Sequence, residues 1–150
     1  MSSLPNRFYD RIRHPSARLL AGEERTVSGF EHLREHKYCL LVTYKRGGEP
    51  VPTPVWFGLA GGALYVRSDA DAAKVRRIRN DPRARVAPCT SRGKPLDPPA
   101  EGRARVLDQQ SESDVAEAAL RANYGLGRRI YEGASEALGT KTVYLEVTPA

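Results

Sequence analysis

The sequence predicts a mainly β protein with peripheral helices, built on six antiparallel strands. Six segments have the alternating or continuously apolar pattern of β-strands. Hairpins or short links connect most of these segments, which makes neighbouring strands antiparallel. Six strands of this kind favour a closed or split barrel over an open sheet. The predicted strands are residues 37–45, 51–60, 63–68, 83–90, 100–108 and 141–148.

The N-terminal residues differ in composition from the rest of the chain. Residues 1–24 form a polar, basic extension, and the sequence leaves open whether it is ordered. Residues 25–150 form one domain, which is long enough to bury a substantial core. At its start, residues 26–36 are predicted to be a short helix, with Ser28 as the cap and Glu31 completing a capping box.

The charge and cysteine content limit the partners and the compartment. The chain of 150 residues has a net charge of +6, which favours an anionic partner such as a phosphorylated cofactor, nucleic acid or an acidic surface. It has two cysteines and no CxxC motif, as expected for a reduced, cytoplasmic protein. No apolar run reaches membrane-spanning length, and no export signal is recognisable, so we expect no membrane association.

The strand 51–60 has two prolines that restrict its pairing. Pro52 and Pro54 have no N–H to donate to a neighbouring strand, so this strand is unlikely to be paired on both sides throughout. Backbone groups left open there could face a flat ligand. The next two residues after the strand, Gly61 and Gly62, indicate a two-residue hairpin because both accept positive φ.

A short basic helix follows the hairpin. Asp69 or Asp71 is a candidate N-cap. Free N–H groups at the start of the helix and Lys74 in its first turn suit a phosphate or carboxylate. Arg77 lies three residues later, on the same face. The apolar face consists of Ala72, Val75 and Ile78.

Two helices are predicted in the last third of the chain. The first is 111–123, for which Ser111 and Asp114 resemble a capping box. The second is 128–138, after a glycine-containing break.

The sequence has no motif for catalysis by side chains alone. It has no GxSxG, Walker loop or GxGxxG. His32 and His36 have no cysteine or carboxylate signature beside them, so we expect no metal site. Cys89 is interpreted as a buried thiol rather than a nucleophile. The chemistry is therefore expected to come from a bound cofactor, with no catalytic side chain assigned; Tyr65 or Tyr124 could donate a proton.

Three stretches together resemble a known superfamily. TPVWF, LYVRSDADAAKVRRIRNDPRARVAPC and EGRARVL resemble the FMN-binding split barrel superfamily, which includes pyridoxamine phosphate oxidase. More closely, they are similar to its actinobacterial branch of oxidoreductases that depend on the deazaflavin coenzyme F420. The match extends over residues 31–150, most of the chain.

The resemblance implies a split barrel that forms a homodimer, with a cofactor in each of two grooves at the dimer interface. The residues implied along the deazaflavin or flavin ring are Thr53, Pro54, Val55 and Trp56. The residues implied near the phosphate are Arg67, Ser68, Lys74 and Arg77. Many relatives have Ser or Gly before the lysine, whereas this chain has Ala73, so one hydroxyl contact is missing.

The implied function is hydride transfer between F420 and a small organic substrate. The basic composition suits the phosphate and polyglutamate tail of F420. The residues considered for the tail are Arg103, Arg105, Arg128 and Arg129. Two alternatives remain: an FMN-dependent oxidase or reductase of the same fold, and a non-catalytic protein that binds a cofactor or nucleic acid. Nucleic acid is not expected, because the aromatic residues lie among apolar neighbours in strands.

Overall fold

One curled antiparallel sheet is the frame of the computed structural model, which describes residues 15–124 and 141–150. The strands are β1 Tyr38–Tyr44, β2 Pro50–Trp56, β3 Gly58–Ala60, β4 Ala63–Asp69, β5 Arg83–Pro88, β6 Ala100–Val106 and β7 Thr142–Pro149. Their order in the sheet is β2-β1-β5-β6-β7-β4-β3. The helices are α1 Ala73–Asn80, α2 Gln110–Tyr124 and the 3-10 helices Pro15–Gly22 and Glu31–Leu33.

The described sheet has seven strands, so the prediction of six is wrong. The segment predicted as one strand, residues 51–60, is interrupted at Phe57 and forms both β2 and β3. β2 pairs with β1 and β3 pairs with β4, at opposite ends of the strand order. The chain therefore crosses from one edge of the sheet to the other at Phe57, where the curled sheet comes together as in a split barrel.

Apolar side chains pack on both faces of this sheet. The interior cluster includes Leu41, Val55, Phe57, Leu64, Val66, Val86, Leu145 and, from α1, Val75 and Ile78. On the outer face, the 3-10 helix Pro15–Gly22 packs through Ala17 and Leu20 against Leu40 and Val42 of β1. Farther along the sheet, α2 packs against β4. The helix α1 thus belongs to the interior core, which fixes the position of its polar face.

The hairpin between β3 and β4 is confirmed. Gly61 and Gly62 have φ of 58° and 81°, the positive values that a two-residue turn of this kind requires. The remaining predicted strands and the first C-terminal helix end within two residues of the observed elements. The predicted helix 128–138 lies outside the described residues.

The predicted N-cap of α1 is wrong. Ala72 occupies that position, and its methyl side chain makes no cap hydrogen bond. Asp69 is instead the last residue of β4, and its backbone carbonyl accepts a hydrogen bond from the Ala72 N–H at 3.1 Å. The predicted apolar face is confirmed, since Val75 and Ile78 are buried in the interior. The capping box of the last helix is also wrong: α2 begins at Gln110, whose side-chain amide donates to Asp114 at 3.0 Å.

The predicted helix over residues 26–36 is replaced by a bridge and a short turn. Val27 pairs with Ala100 in an isolated parallel bridge, and only Glu31–Leu33 is helical, as one 3-10 turn. Gly29 has φ of 74°, which a right-handed helix cannot accommodate. The Glu31 carboxylate pairs with Arg34 at 2.6 Å instead of completing a capping box with Ser28.

Candidate functional site

The edge strand β2 presents backbone acceptors on its outer side. Within the described residues β2 pairs with β1 alone, and its register places Pro52 opposite Val42 and Pro54 opposite Leu40. Because proline has no N–H, these two pairs are the non-hydrogen-bonded ones of the antiparallel ladder. The carbonyl oxygens of Pro52 and Pro54 therefore point away from β1, toward the open edge. The predicted lack of pairing on one side is confirmed.

The side chains of the predicted ring residues divide between the two faces of β2. Val55 is buried in the interior cluster, and its backbone N–H and carbonyl face Cys39 of β1, so the outward backbone carbonyl next to it is that of Pro54. Thr53 shares that inward face by strand alternation. Pro54 and Trp56 lie on the other face and are half-buried. The Trp56 ring stacks on Tyr124, with 4.9 Å between ring centroids and 19° between planes.

Side chains from the end of α2 hold the break between β2 and β3. The Phe57 N–H donates to the Tyr124 hydroxyl oxygen at 2.8 Å, and that hydroxyl donates to the Lys37 carbonyl. The Asn123 amide donates to the carbonyl of Phe57 at 2.8 Å and to that of His36 at 3.2 Å. Sequence reasoning missed Asn123, because its partner Phe57 is 66 residues away along the chain.

Arg77 of α1 reaches the sheet near the start of β2. Its Nε donates to the Thr43 hydroxyl at 2.6 Å, and Thr43 is buried with 1% of its surface exposed. Thr43 is opposite Val51 in the β1–β2 register. The structure therefore brings Arg77 of α1 onto β1, the strand that pairs with β2. Sequence reasoning missed Thr43, which had no motif around it.

Lys74, one turn before Arg77, is a half-buried cation. Burial lowers the pKa of its ammonium, the charge of Arg77 lowers it further, and Asp69 acts in the opposite direction. Its ammonium makes no hydrogen bond or ion pair with any residue in 15–124 or 141–150. A partly desolvated cation of this kind is stabilised by an anion, so Lys74 fits a phosphate group.

Arg67 and Ser68 are adjacent on β4 and lie on opposite faces. Ser68 is buried, and its hydroxyl donates to the Asp69 carbonyl at 3.1 Å. Arg67 shares the face of Tyr65, and its Nη2 donates to the Thr142 hydroxyl at 3.4 Å. The described contacts do not join Arg67 to Lys74 and Arg77, so its role at a phosphate stays a prediction.

The other reactive side chains are ill-placed for chemistry at this edge. Burial raises the pKa of the Cys39 thiol, and it raises that of Cys89 to about 12, so neither is a thiolate at neutral pH. Cys89 is buried, as predicted. The Tyr65 hydroxyl donates to Glu146 at 3.0 Å, beneath α2, and burial together with that carboxylate raises its pKa.

Neither a metal site nor a membrane-spanning helix is found among the described residues. In the described ranges, no three His, Cys, Asp or Glu residues come together as a metal site. Among the described helices, none is long and apolar enough to cross a membrane.

The curled antiparallel sheet with a few peripheral helices defines the class of split barrels. The chain belongs to the pyridoxamine 5'-phosphate oxidase family, whose model matches residues 30–150. The resemblance to the FMN-binding split barrel superfamily is thereby confirmed at the level of the family.

Three solved structures share the fold. A heme storage protein, HutZ from Vibrio cholerae, has a TM-score of 0.61 at 16% identity, covering 80% of this chain and 86% of that one. A conserved hypothetical protein from Mycobacterium tuberculosis has a TM-score of 0.60 at 15% identity, covering 85% of this chain and 85% of that one. An FAD-binding protein from Mesorhizobium loti has a TM-score of 0.57 at 15% identity, covering 79% of this chain and 83% of that one. At these identities the likeness shows the fold alone. No curated protein matches the chain.

Proposed function

We propose that this protein is an oxidoreductase that binds coenzyme F420 and uses it for hydride transfer to or from a small organic substrate. The observation that carries the proposal is Lys74, a half-buried cation on the basic face of α1 whose ammonium makes no hydrogen bond or ion pair within the described residues. Membership of the pyridoxamine 5'-phosphate oxidase family and the fold of an FAD-binding protein support a ligand of the flavin type.

The phosphate end of the cofactor is assigned to α1. Lys74 supplies the charge, and Arg77, anchored on the buried Thr43, adds a second cation to the same face. Ala73 has no hydroxyl to offer, so the other proposed donors are the backbone N–H groups of Ala73 and Lys74, since the Val75 N–H donates to the Ala72 carbonyl at 3.1 Å. The charge of Arg77 lowers the pKa of Lys74, and an anion bound to both cations would offset this repulsion.

The ring end is assigned to the edge of β2. Residues Thr53, Pro54, Val55 and Trp56 would lie along it, with the outward carbonyl of Pro54 available to accept a hydrogen bond from a ring N–H. Arg67 and Ser68 complete the proposed set near the phosphate. We also propose a homodimer, in which a second copy covers this edge and closes the groove.

Bound F420 supplies two-electron hydride chemistry, and the chain supplies binding, orientation and exclusion of water. The Tyr124 hydroxyl already donates its proton to the Lys37 carbonyl, so it is not positioned as a proton donor. Tyr65 lies beneath α2 rather than at the edge of β2. No side chain of the described residues is therefore assigned as an acid or base.

F420 is preferred to FMN because of charge. The net charge of +6 suits the polyglutamate tail, which FMN lacks. Arg103 is exposed and remains a candidate for the tail. Arg105 is not, because it lies between Glu112 and Glu146 and pairs with both. Arg128 and Arg129 lie outside the described residues.

The test is a titration of the purified protein with F420 and, separately, with FMN, followed by quenching of Trp56, the sole tryptophan. We expect F420 to bind more tightly than FMN. Lys74→Ala should weaken F420 binding about tenfold or more, since a charge-assisted hydrogen bond is lost. The matched control is Lys94→Ala, at an exposed loop position, which should leave the affinity unchanged.

Each other outcome has a definite meaning. Tighter binding of FMN would move the protein to the flavin-dependent alternative. Failure of both ligands to bind would overturn the proposed function. Equal losses in Lys74→Ala and Lys94→Ala would show that the effect is general charge and not a phosphate site.

A further inference from the structure

We propose that Tyr124 and Asn123, at the end of α2, are positioning residues that hold Trp56 and the ring-facing end of β2 in place. This inference rests on the proposed function, since it concerns the same site. Neither residue is among those implied by the family resemblance to contact the cofactor, and both come from a helix more than 50 residues after β2 along the chain.

The backbone of Phe57 is held by side chains of α2. Phe57 lies between β2 and β3 and belongs to neither ladder. Its N–H and its carbonyl are both bound by side chains of α2, at 2.8 Å to the Tyr124 hydroxyl and 2.8 Å to the Asn123 amide. The direction in which the chain leaves β2 thus depends on two side chains rather than on a neighbouring strand.

The Trp56 ring is also in contact with α2. Tyr124 stacks on it at 4.9 Å with nearly parallel planes. The Lys37 ammonium lies 5.6 Å from the centre of the Tyr124 ring and donates to the Asn123 backbone carbonyl. One residue, Tyr124, therefore fixes both the backbone after Trp56 and the plane of its indole.

The backbone of α2 is packed closely against the chain just after Phe57. Gly58 follows the break directly, and the backbone of α2 lies against it. A Cβ at Gly58 would be 2.6 Å from the backbone nitrogen of Leu120, and closer still to the backbone carbon and oxygen of Ala119. Asn123 follows Ala119 by one helical turn. This close approach sets the reach of Asn123 and Tyr124 to the break.

The consequence is a specific pattern of ligand binding. Loss of the Tyr124 ring should affect recognition of the cofactor ring and not of its phosphate. Loss of the Lys74 ammonium should instead weaken recognition of the phosphate and leave recognition of the ring unchanged. The two residues can be separated with F420 and with its phosphate-free riboflavin-like portion, the deazaflavin carrying only the ribityl chain.

The experiment compares Tyr124→Leu, Tyr124→Phe and Asn123→Ala with a matched control, Tyr144→Phe. The Tyr144 hydroxyl donates to Glu117 and so also ties α2 to the sheet, but on β7. We expect Tyr124→Leu to lose about tenfold in affinity for both F420 and the phosphate-free deazaflavin. Tyr124→Phe, which keeps the stacked ring, should recover part of that loss, and Tyr144→Phe should bind both ligands like the wild type.

A second readout uses the protein without ligand. Near-UV circular dichroism of Trp56 should change in Tyr124→Leu and remain close to wild type in Tyr144→Phe. If Tyr124→Leu does not fold, the pair Tyr124→Phe and Asn123→Ala decides, and unchanged affinity for the phosphate-free ring in both overturns the inference. If the wild type binds the ligands and folded Tyr124→Leu binds them equally well, the inference fails and the proposed function stands. If the wild type binds neither ligand, both fail.

Discussion

Lys74 combines an expected stability cost with the proposed role in binding phosphate. Its ammonium is half-buried beside Arg77, and its pKa is lowered by burial first and by that neighbouring charge second. The sequence predicted Lys74 and Arg77 as a pair because their spacing is local to one helix. It missed the Thr43 hydroxyl, which holds Arg77 from 34 residues away, because a single threonine in an apolar strand has no distinguishing pattern.

Replacing Lys74 by methionine should stabilise the ligand-free protein while it weakens F420 binding. Methionine retains the apolar stem and removes a desolvated charge, so we expect a gain of about 1 kcal/mol in the free energy of unfolding. Urea unfolding at neutral pH measures this. Arg79→Met, at an exposed position of α1, is the control and should give little change. A loss of stability in Lys74→Met would contradict the description of Lys74 as an uncompensated cation.

The same residue predicts the direction of a pH effect. Because its pKa is lower in the folded than in the unfolded protein, the unfolded state binds more protons between these two values. The stability contributed by position 74 should therefore rise with pH below the ordinary lysine pKa of 10.5. The difference in unfolding free energy between Lys74→Met and wild type should shrink from neutral to alkaline pH. A constant difference would show that the charge of Lys74 is not what destabilises it.

The elements around Phe57 show where local pattern fails. Alternation continues from β2 through Leu59, so the sequence predicted one strand. The break instead depends on Asn123 and Tyr124, whose partners are more than 60 residues away. The Gly61-Gly62 turn and the apolar face of α1 were predictable, because each is fixed by residues within a few positions. Elements defined by local chemistry were predicted well, and those defined by packing were not.

Gly58 provides a test at the scale of elements. Gly58→Ala places a Cβ against the backbone of α2, which must shift, and we expect a loss of about 2 kcal/mol in unfolding free energy. Gly47→Ala is the matched control, because a Cβ there meets nothing within 4 Å. The two variants are compared by urea unfolding. Equal stabilities would contradict the close packing of α2 on β3.

At the scale of the whole molecule, one sheet positions a basic helix and an open strand edge together. α1 is held by its buried face in the interior core, and Arg77 contacts Thr43, which pairs with Val51 at the start of β2. The family and the barrel were predictable because the resemblance covers most of the chain. The number of strands was not, because the sheet changes edges within a segment whose pattern is continuous.

The open edge leads to a prediction about assembly. If a second copy closes the groove beside β2, the protein in solution should be a dimer that binds one F420 per chain. Light scattering gives the mass, and a titration at protein concentrations well above the Kd gives the stoichiometry. A monomer that binds F420 would contradict the homodimer and leave the role of Lys74 intact.

The measurement that tests the central claim most directly is a binding cycle. The affinities of wild type and Lys74→Ala are measured for F420 and for its phosphate-free deazaflavin portion. We expect the substitution to weaken F420 binding about tenfold or more and to leave binding of the phosphate-free ligand unchanged. Equal effects on the two ligands, or none on F420, would show that Lys74 does not bind the phosphate.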